Sequence, residues 1–423
     1  MNRAKQSLCG AVVVLFFVAG VPHFFTADAF AAGYKIPEQS ANAVGLAAAY
    51  VANASGPDSA YYNPANMVWS DERAAIETSL NYVYLPNVNF RGSVFGDPVN
   101  ADSKSEHFLL PNMHYISPKI GKARFGFSVV YPFGLSKRWD HPSQQLFAEE
   151  FTLETIELDL SVAFEVSEQF AMGWGIRGIR SEGKVVRRGN LPTESGLISV
   201  SGEMEGDDFS TGYVLALSAR PIRNLSMAVT YRSEVKPTLE GNAQLSAADG
   251  STPYSGPVEL EIVLPASFQV ASAYTFRRTV FEFVYEKTYW GKYQELDFEF
   301  ATPLVGPVQP AFFDDPLEKS YSDADTYRLG FTYHYNPKWT LLLGVAIDEG
   351  AAPAETLNFE LPDADALVYS TGFKYQAGER FSFAMAYITS QKKDRSFTNT
   401  EARINGEFKS SAHVVNASIV YVF

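Results

Sequence analysis

The sequence predicts an all-β protein: a fourteen-stranded antiparallel transmembrane β-barrel with an N-terminal plug, or hatch, inside its lumen. Three observations predict it. Stretches of strand length alternate large apolar side chains with small or polar ones. The connections between those stretches alternate short and long. The chain opens on an export-type segment, yet no later run reaches the ~18 apolar residues of a membrane helix.

The N-terminus comes first. Arg3 and Lys5 precede the apolar run Leu8–Val21 (LCGAVVVLFFVAGV), which is short for a membrane span. Ala29-Phe30-Ala31 fits a small-residue cleavage site, so residues 1–31 are expected to form a signal peptide. Ala27-Asp28-Ala29 is a second cleavage candidate, and a membrane anchor is the alternative reading. Cleavage would remove Cys9, the only cysteine, so no disulfide is expected despite the export route. The formal net charge of −14 speaks against nucleic acid as a partner. Aromatic residues make up 14% of the chain, which suits a membrane-embedded barrel better than a multi-domain soluble protein.

Alternation carries the barrel itself, residues 74–423. Tyr327, Leu329, Phe331, Tyr333 and Tyr335 share one face, against Arg328, Gly330, Thr332 and His334. The same pattern recurs at Trp339–Ile347, Leu367–Tyr375, Phe381–Tyr387 and Val415–Phe423. A large apolar face toward lipid and a small or polar face toward the lumen produce it. Strands are expected near 74–90, 104–118, 122–134, 151–166, 169–189, 206–220, 224–241, 255–275, 279–299, 321–336, 339–350, 364–376, 379–393 and 407–423. Short connections fall at Pro118–Gly121, Ser167–Glu168, Pro221–Asn224, Phe276–Arg278, Asn336–Lys338 and Ala377–Gly378. Long ones fall at 135–150, 190–205, 242–254, 300–320 and 351–363, with a short helix possible in 135–150. Short periplasmic turns, long external loops and an even count place both barrel ends on the periplasmic side of a bacterial outer membrane.

Residues 32–73 precede the first strand. They are rich in alanine, and 39–65 holds Asp58 as its one charged side chain. A fourteen-stranded lumen leaks unless filled, and a disordered tail is usually more charged, so this segment is expected to plug the barrel. No metal-ligand spacing joins the histidines, no phosphate loop opens a helix, and no cofactor is expected. An enzyme is therefore not expected. His413 could serve a hydrolase at the membrane face, but an interfacial structural role suits it better.

The chain resembles the FadL family, outer-membrane transporters of long-chain fatty acids that also include channels for aromatic hydrocarbons. The resemblance rests on Ala32-Gly33-Tyr34, on Gly45-Leu46 through Ala49-Tyr50, and on Asp58-Ser59-Ala60-Tyr61-Tyr62-Asn63-Pro64-Ala65. Pro111-Asn112-Met113-His114, Tyr231–Lys236 and the terminal Phe423 add to it. It covers the whole mature chain. It implies a fourteen-stranded barrel with a hatch, in which Gly45, Tyr50, Asp58, Asn63, Pro64 and Ala65 carry the hatch motif. It also implies ligand capture among external loops, transfer to an internal pocket, and lateral exit at a kink in the third strand. Pro132, Phe133 and Gly134 offer a basis for such a kink, because proline gives no ladder hydrogen bond and glycine lets the strand bend. The family more often has another residue where Pro132 stands, and a strand simply ending there is the alternative.

A fatty acid needs an apolar channel and a cation or donors for its carboxylate. Inward basic candidates are Arg177, Arg232, Arg328, Lys374 and Arg380. Arg232, with Lys236, is the preferred carboxylate partner, although inward Asp159, Glu282 and Glu286 could pair with such cations instead. Trp139, Leu146 and Phe147, in the 135–150 loop, are the candidate capture residues. The expected partners are a hydrophobic small molecule, outer-membrane lipid, and the barrel-assembly machinery acting on the last strand at Phe423. A monomer is expected. The function expected is passive uptake of long-chain fatty acids. The alternatives are a hydrocarbon channel, an adhesin or phage receptor, and a hydrolase.

Overall fold

The computed structural model describes residues 33–423, so the expected signal peptide lies outside the described residues. Fourteen antiparallel strands close a barrel. In order they are Ala75–Leu85, Glu106–Ile116, a third in two parts (Ala123–Val130 and Gly134–Arg138), Glu150–Ser167, Phe170–Thr193 and Gly196–Ile222. The seventh and eighth are also split, into Leu225–Arg232 with Thr238–Ala247 and Tyr254–Glu261 with Ser267–Phe276. Thr279–Thr288, extended by Phe298–Phe300, is the ninth, followed by Ala324–His334, Trp339–Asp348, Ala366–Gln376, Phe381–Lys392 and Ser411–Val422. The last pairs with the first, Ala75 opposite Val422, so the sheet has no free ends.

The alternation places side chains as expected. Leu329, Leu343, Tyr369, Met385 and Ile419 point outward, whereas Arg328, Ala346, Ser370, Ala386 and Ser418 are buried inside. Aromatic rings gather near the short turns, where Trp339 packs on Tyr375 at 4.7 Å and Phe381 on Tyr421 at 4.8 Å. Such girdles sit at the membrane–water boundary, with one polar and one apolar end to each ring.

Several expected boundaries are corrected. The stretch 190–205 is no long loop. The fifth and sixth strands run 24 and 27 residues and meet at a tight turn, Thr193 opposite Gly196. About 9–11 residues suffice to cross the hydrocarbon core, so this hairpin projects far beyond it. The expected strands 224–241 and 255–275 are each interrupted, near Pro237 and Pro265, where the bridge Val235–Leu264 and an Ile262 N–H donating to the Pro237 carbonyl at 3.0 Å join them. The expected strand 279–299 stops at Thr288, ahead of a 3-10 turn at Trp290–Lys292. The stretch 74–90 ends as a barrel strand at Leu85, and Asn89–Val94 then enters a separate four-stranded external sheet with Asp97–Asp102, Arg395–Asn399 and Ile404–Lys409. The loop 135–150 does hold a helix, Pro142–Ala148.

The projecting wall carries a row of carboxylates at one height. Glu154 opposes Glu182, Glu182 opposes Asp207, Asp207 opposes Glu240, Glu240 opposes Glu259, and Glu259 opposes Glu299. All six are exposed. Arg180 pairs with Glu182 and Asp207, but among the described residues no cation pairs with Glu240, Glu259 or Glu299. Like charges directly opposed across strands destabilise a sheet by ~0.2–1 kcal/mol per pair. Glu240 faces two such neighbours. Glu240→Lys is therefore expected to raise the thermal unfolding midpoint, most clearly at low salt, as read from heat-modified mobility on gels. An unchanged midpoint would mean that salt already screens the row.

Candidate functional site

The segment ahead of the first strand turns into the barrel. Its helix Ala41–Gly45 starts at Ser40, whose hydroxyl caps it by accepting from the Ala43 N–H. The segment lies close against the wall because the wall is thinned there. A Cβ on Gly344 would sit 2.1 Å from the Leu46 carbonyl carbon, and one on Gly173 would sit 2.5 Å from the Ala65 nitrogen. A Cβ on Gly45 itself would meet Leu342 at 2.8 Å.

Polar clamps then fasten it. Asp58 accepts from the Tyr50 hydroxyl at 3.0 Å and from the Asn42 amide at 2.7 Å. Asn63 donates to the Val51 carbonyl and to the Ser218 hydroxyl on the wall, both at 2.9 Å. Pro64 opens the 3-10 turn Pro64–Trp69, where its lack of an N–H costs nothing. From the wall, Glu282 accepts the N–H groups of Val51, Ala52 and Asn53 at 2.7, 2.6 and 3.3 Å. Arg232 donates to the Tyr61 carbonyl at 2.5 Å and lies over the Tyr61 ring at 3.8 Å. It also pairs with Glu157 and Asp159, and Glu157 binds Arg177 in turn.

The first described residues are held differently, by the broken third strand. Ile36 N–H donates to the Pro132 carbonyl at 2.8 Å, and Gly134 N–H donates to the Tyr34 carbonyl at 3.0 Å. The Gln39 amide both donates to and accepts from the Tyr131 backbone, each at 2.9 Å, as a neighbouring strand would. Lys35 reaches Glu286, which Arg328 also binds at 2.8 Å. Burial pushes the Glu38 carboxyl up to about 7, against the opposing charge of Arg328.

That inward turn opens the wall. The second and third strands pair only from Met113–Val129 to Ile116–Gly126. Pairing resumes above at the Ser103–Trp139 bridge, where Arg138 also binds Glu106 at 2.7 Å. Between them, Glu106–Asn112 and Tyr131–Lys137 form two unjoined rails. A cavity of about 640 Å³ runs through this window. It is lined by lumenal residues such as Val368 and Ile388 and by outward ones such as Leu109 and Ile156.

A second, narrower crevice of about 50 Å³ lies above it, lined by Met204, Leu239, Ile262 and Phe298, with Lys319 and Glu360 at its polar end. Tyr34, Leu135, Leu153 and Leu361 line both spaces and so divide them. The Tyr34 hydroxyl donates to the Val263 carbonyl at 2.5 Å, and its ring packs on Trp290 at 4.7 Å. Lys319 and Glu360 form a buried ion pair. Arg187, also buried, overlies Phe298 at 5.9 Å, and the carboxylate whose charge acts on it is Glu360. Its Nε has no hydrogen-bond partner.

These positions differ from those the sequence suggested. Arg232 is committed to the clamp on Tyr61. Lys236 lies on the outer surface, paired with Glu261 at 2.8 Å, and neither residue lines either space. Trp139 and Leu146 are buried and Phe147 is half-buried, in an extracellular core with Phe359 and Phe408; Trp139 donates to the Phe359 carbonyl at 3.0 Å. Arg187 and Lys319 were missed. Arg187 could have been found by extending the inward parity of Arg177 along the fifth strand; nothing in the sequence singles out Lys319.

A closed barrel with an apolar outer belt and an apolar cavity through its wall has the architecture of an outer-membrane protein that handles hydrophobic molecules. The family model described as outer membrane protein transport protein (OMPP1/FadL/TodX) matches residues 23–423, and the chain belongs to that family. It is 26% identical to the long-chain fatty acid transport protein of Escherichia coli O6:H1, over 94% of this chain and 95% of that one. It is 22% identical to outer membrane protein P1 of Haemophilus influenzae, over 92% and 90%. Among solved structures, a Pseudomonas aeruginosa FadL homologue has a TM-score of 0.83 at 21% identity, covering 92% of this chain and 100% of that chain. The P. putida toluene transporter TodX has a TM-score of 0.68 at 16% identity, covering 90% and 98%. At these identities the structures establish a shared fold.

Proposed function

We propose that this protein takes up long-chain carboxylates passively and passes them sideways into the membrane. The observation that carries the carboxylate is the buried ion pair of Lys319 and Glu360 at the end of an apolar crevice, with a second buried cation, Arg187, stacked on the crevice residue Phe298 and its Nε unpartnered. A buried guanidinium with an unpartnered N–H is costly unless an anion completes it. A fatty acid supplies that anion and an apolar tail together. A toluene-like ligand, as carried by the neighbouring transporters of that name, would leave the cation uncompensated.

In this reading residues 40–69 form the fixed hatch and residues 33–38 the moving part. The crevice is too small for a long chain while Tyr34 stands beside it, so entry displaces Tyr34 and joins the crevice to the wall cavity. The ligand then leaves between Glu106–Asn112 and Tyr131–Lys137. Phe423, exposed at the closing seam, is the contact for the assembly machinery.

Arg187→Met tests the head-group assignment, and Lys319 stays in place to neutralise Glu360. A hydrogen bond to a charged group contributes ~1.5–3 kcal/mol, so oleate uptake by cells carrying the variant should fall at least tenfold. Uptake of an alkane of equal length should not change. Equal loss of both, or of neither, would overturn the carboxylate reading.

A further inference from the structure

The wall cavity holds a cation that neither the clamps nor the crevice uses. Lys137 lies on the upper part of the third strand, just past the kink, and lines the cavity from its rail. Only 5% of its surface is exposed. Among the described residues its ammonium has neither an ion pair nor a hydrogen bond. Glu106, on the opposite rail, acts on Lys137 through its charge but is bound through one oxygen by Arg138 at 2.7 Å. Lys392 lines the same cavity, and its charge acts on Lys137. The carboxylate nearest Lys392, Asp363, is 3.7 Å away and spends its other oxygen on the N–H groups of Ala351 and Ala352. Among the described residues Lys137 thus has no carboxylate within ion-pair distance, and Lys392 has only Asp363 at 3.7 Å. The cavity lining joins the apolar Leu110, Leu135, Val368, Ile388 and Val414 to charged groups of the hatch and wall such as Glu38, Arg328, Asp348 and Glu154.

A buried cation with no ion-pair partner, opening on a cavity of about 640 Å³ with an apolar stretch of wall, is the arrangement that an amphipathic anion completes. We propose that Lys137, backed by Lys392, is a second carboxylate station at the window, distinct from Arg187 and Lys319. It would hold the head group of a long-chain fatty acid at the rail while the tail passes between the strands into the membrane. The station rests on the carboxylate reading above and adds to it a defined stop on the exit path. A cation on the rail also explains how a charged head can follow its tail out of the lumen: it exchanges one cation for another and never crosses the wall unpaired.

The test uses the purified full-length protein in nanodiscs, with labelled oleate and oleyl alcohol as probes. Wild-type protein is expected to bind two oleate molecules per chain, and Lys137→Met one. In cells, Lys137→Met should lower oleate uptake about tenfold and leave uptake of the alcohol unchanged, and Lys137→Arg should restore both stoichiometry and rate. Heat-modified gel mobility confirms that each barrel is assembled. A Lys137→Met barrel that still binds two oleates, or takes up oleate at the wild-type rate, would overturn the station alone. Absence of any oleate binding by wild-type protein would overturn the carboxylate reading on which it rests.

Discussion

Replacing Pro132 and Gly134 with valine should reduce uptake to the level of cells without the protein, while the barrel still assembles. Two features keep the rails apart. Proline at 132 offers no N–H to a neighbouring strand. The backbone from Tyr131 to Gly134 is turned inward, where Gln39, Ile36 and Tyr34 satisfy it. Valine at 132 restores a donor. Valine at 134 also crowds the internal partner, because a Cβ there would lie 3.2 Å from the Ile36 side chain. Both changes favour an outward strand paired with Glu106–Asn112. Each regained ladder hydrogen bond contributes a net ~0.5–1.5 kcal/mol, so a few suffice to shift the strand. The measurement is labelled oleate uptake beside surface expression and gel mobility. Wild-type uptake by an assembled double variant would remove lateral exit as the route.

The same kink shows where the sequence stops being readable. Alternation revealed the strands because lipid demands a large apolar side chain at every second position, and that demand is local. It held from Tyr327 to Gly330 and from Phe381 to Tyr387 without any knowledge of the fold. Parity fails wherever the backbone leaves the ladder. Lys137 follows the kink, so counting faces from Phe125 could not place it. Pro237 and Pro265 mark interruptions that the apolar pattern alone ran through. Loop residues such as Trp139 looked like exposed capture groups because their cover, Phe359 and Phe408, lies more than two hundred residues away in the chain. Glu282 was legible as an inward acid, but its partners are backbone N–H groups, which no residue type announces.

That acid leads to the second large effect. Glu282→Leu should turn the barrel into a leaky pore. One carboxylate oxygen collects three consecutive N–H groups of the segment, a concave arrangement suited to an anion. Leucine would leave these buried donors unpaired, at ~1–3 kcal/mol each, and would push a branched side chain toward them. The segment around Val51–Asn53 can then satisfy them only by moving to water. Asn63 and Asn66, which donate to the Val51 carbonyl, would loosen with it. Arg232 and the glycine-lined contacts at Gly173 would still tether the far end, so the segment should swing rather than leave. Planar-bilayer recordings should therefore show flickering ion conductance in Glu282→Leu and a nearly closed wild type. Glu282→Gln keeps an acceptor oxygen without its charge and should fall between. Asn63→Ala combined with Glu282→Leu should add little beyond the single change, because both release the same stretch. A silent Glu282→Leu barrel would mean that close packing alone holds the segment in place.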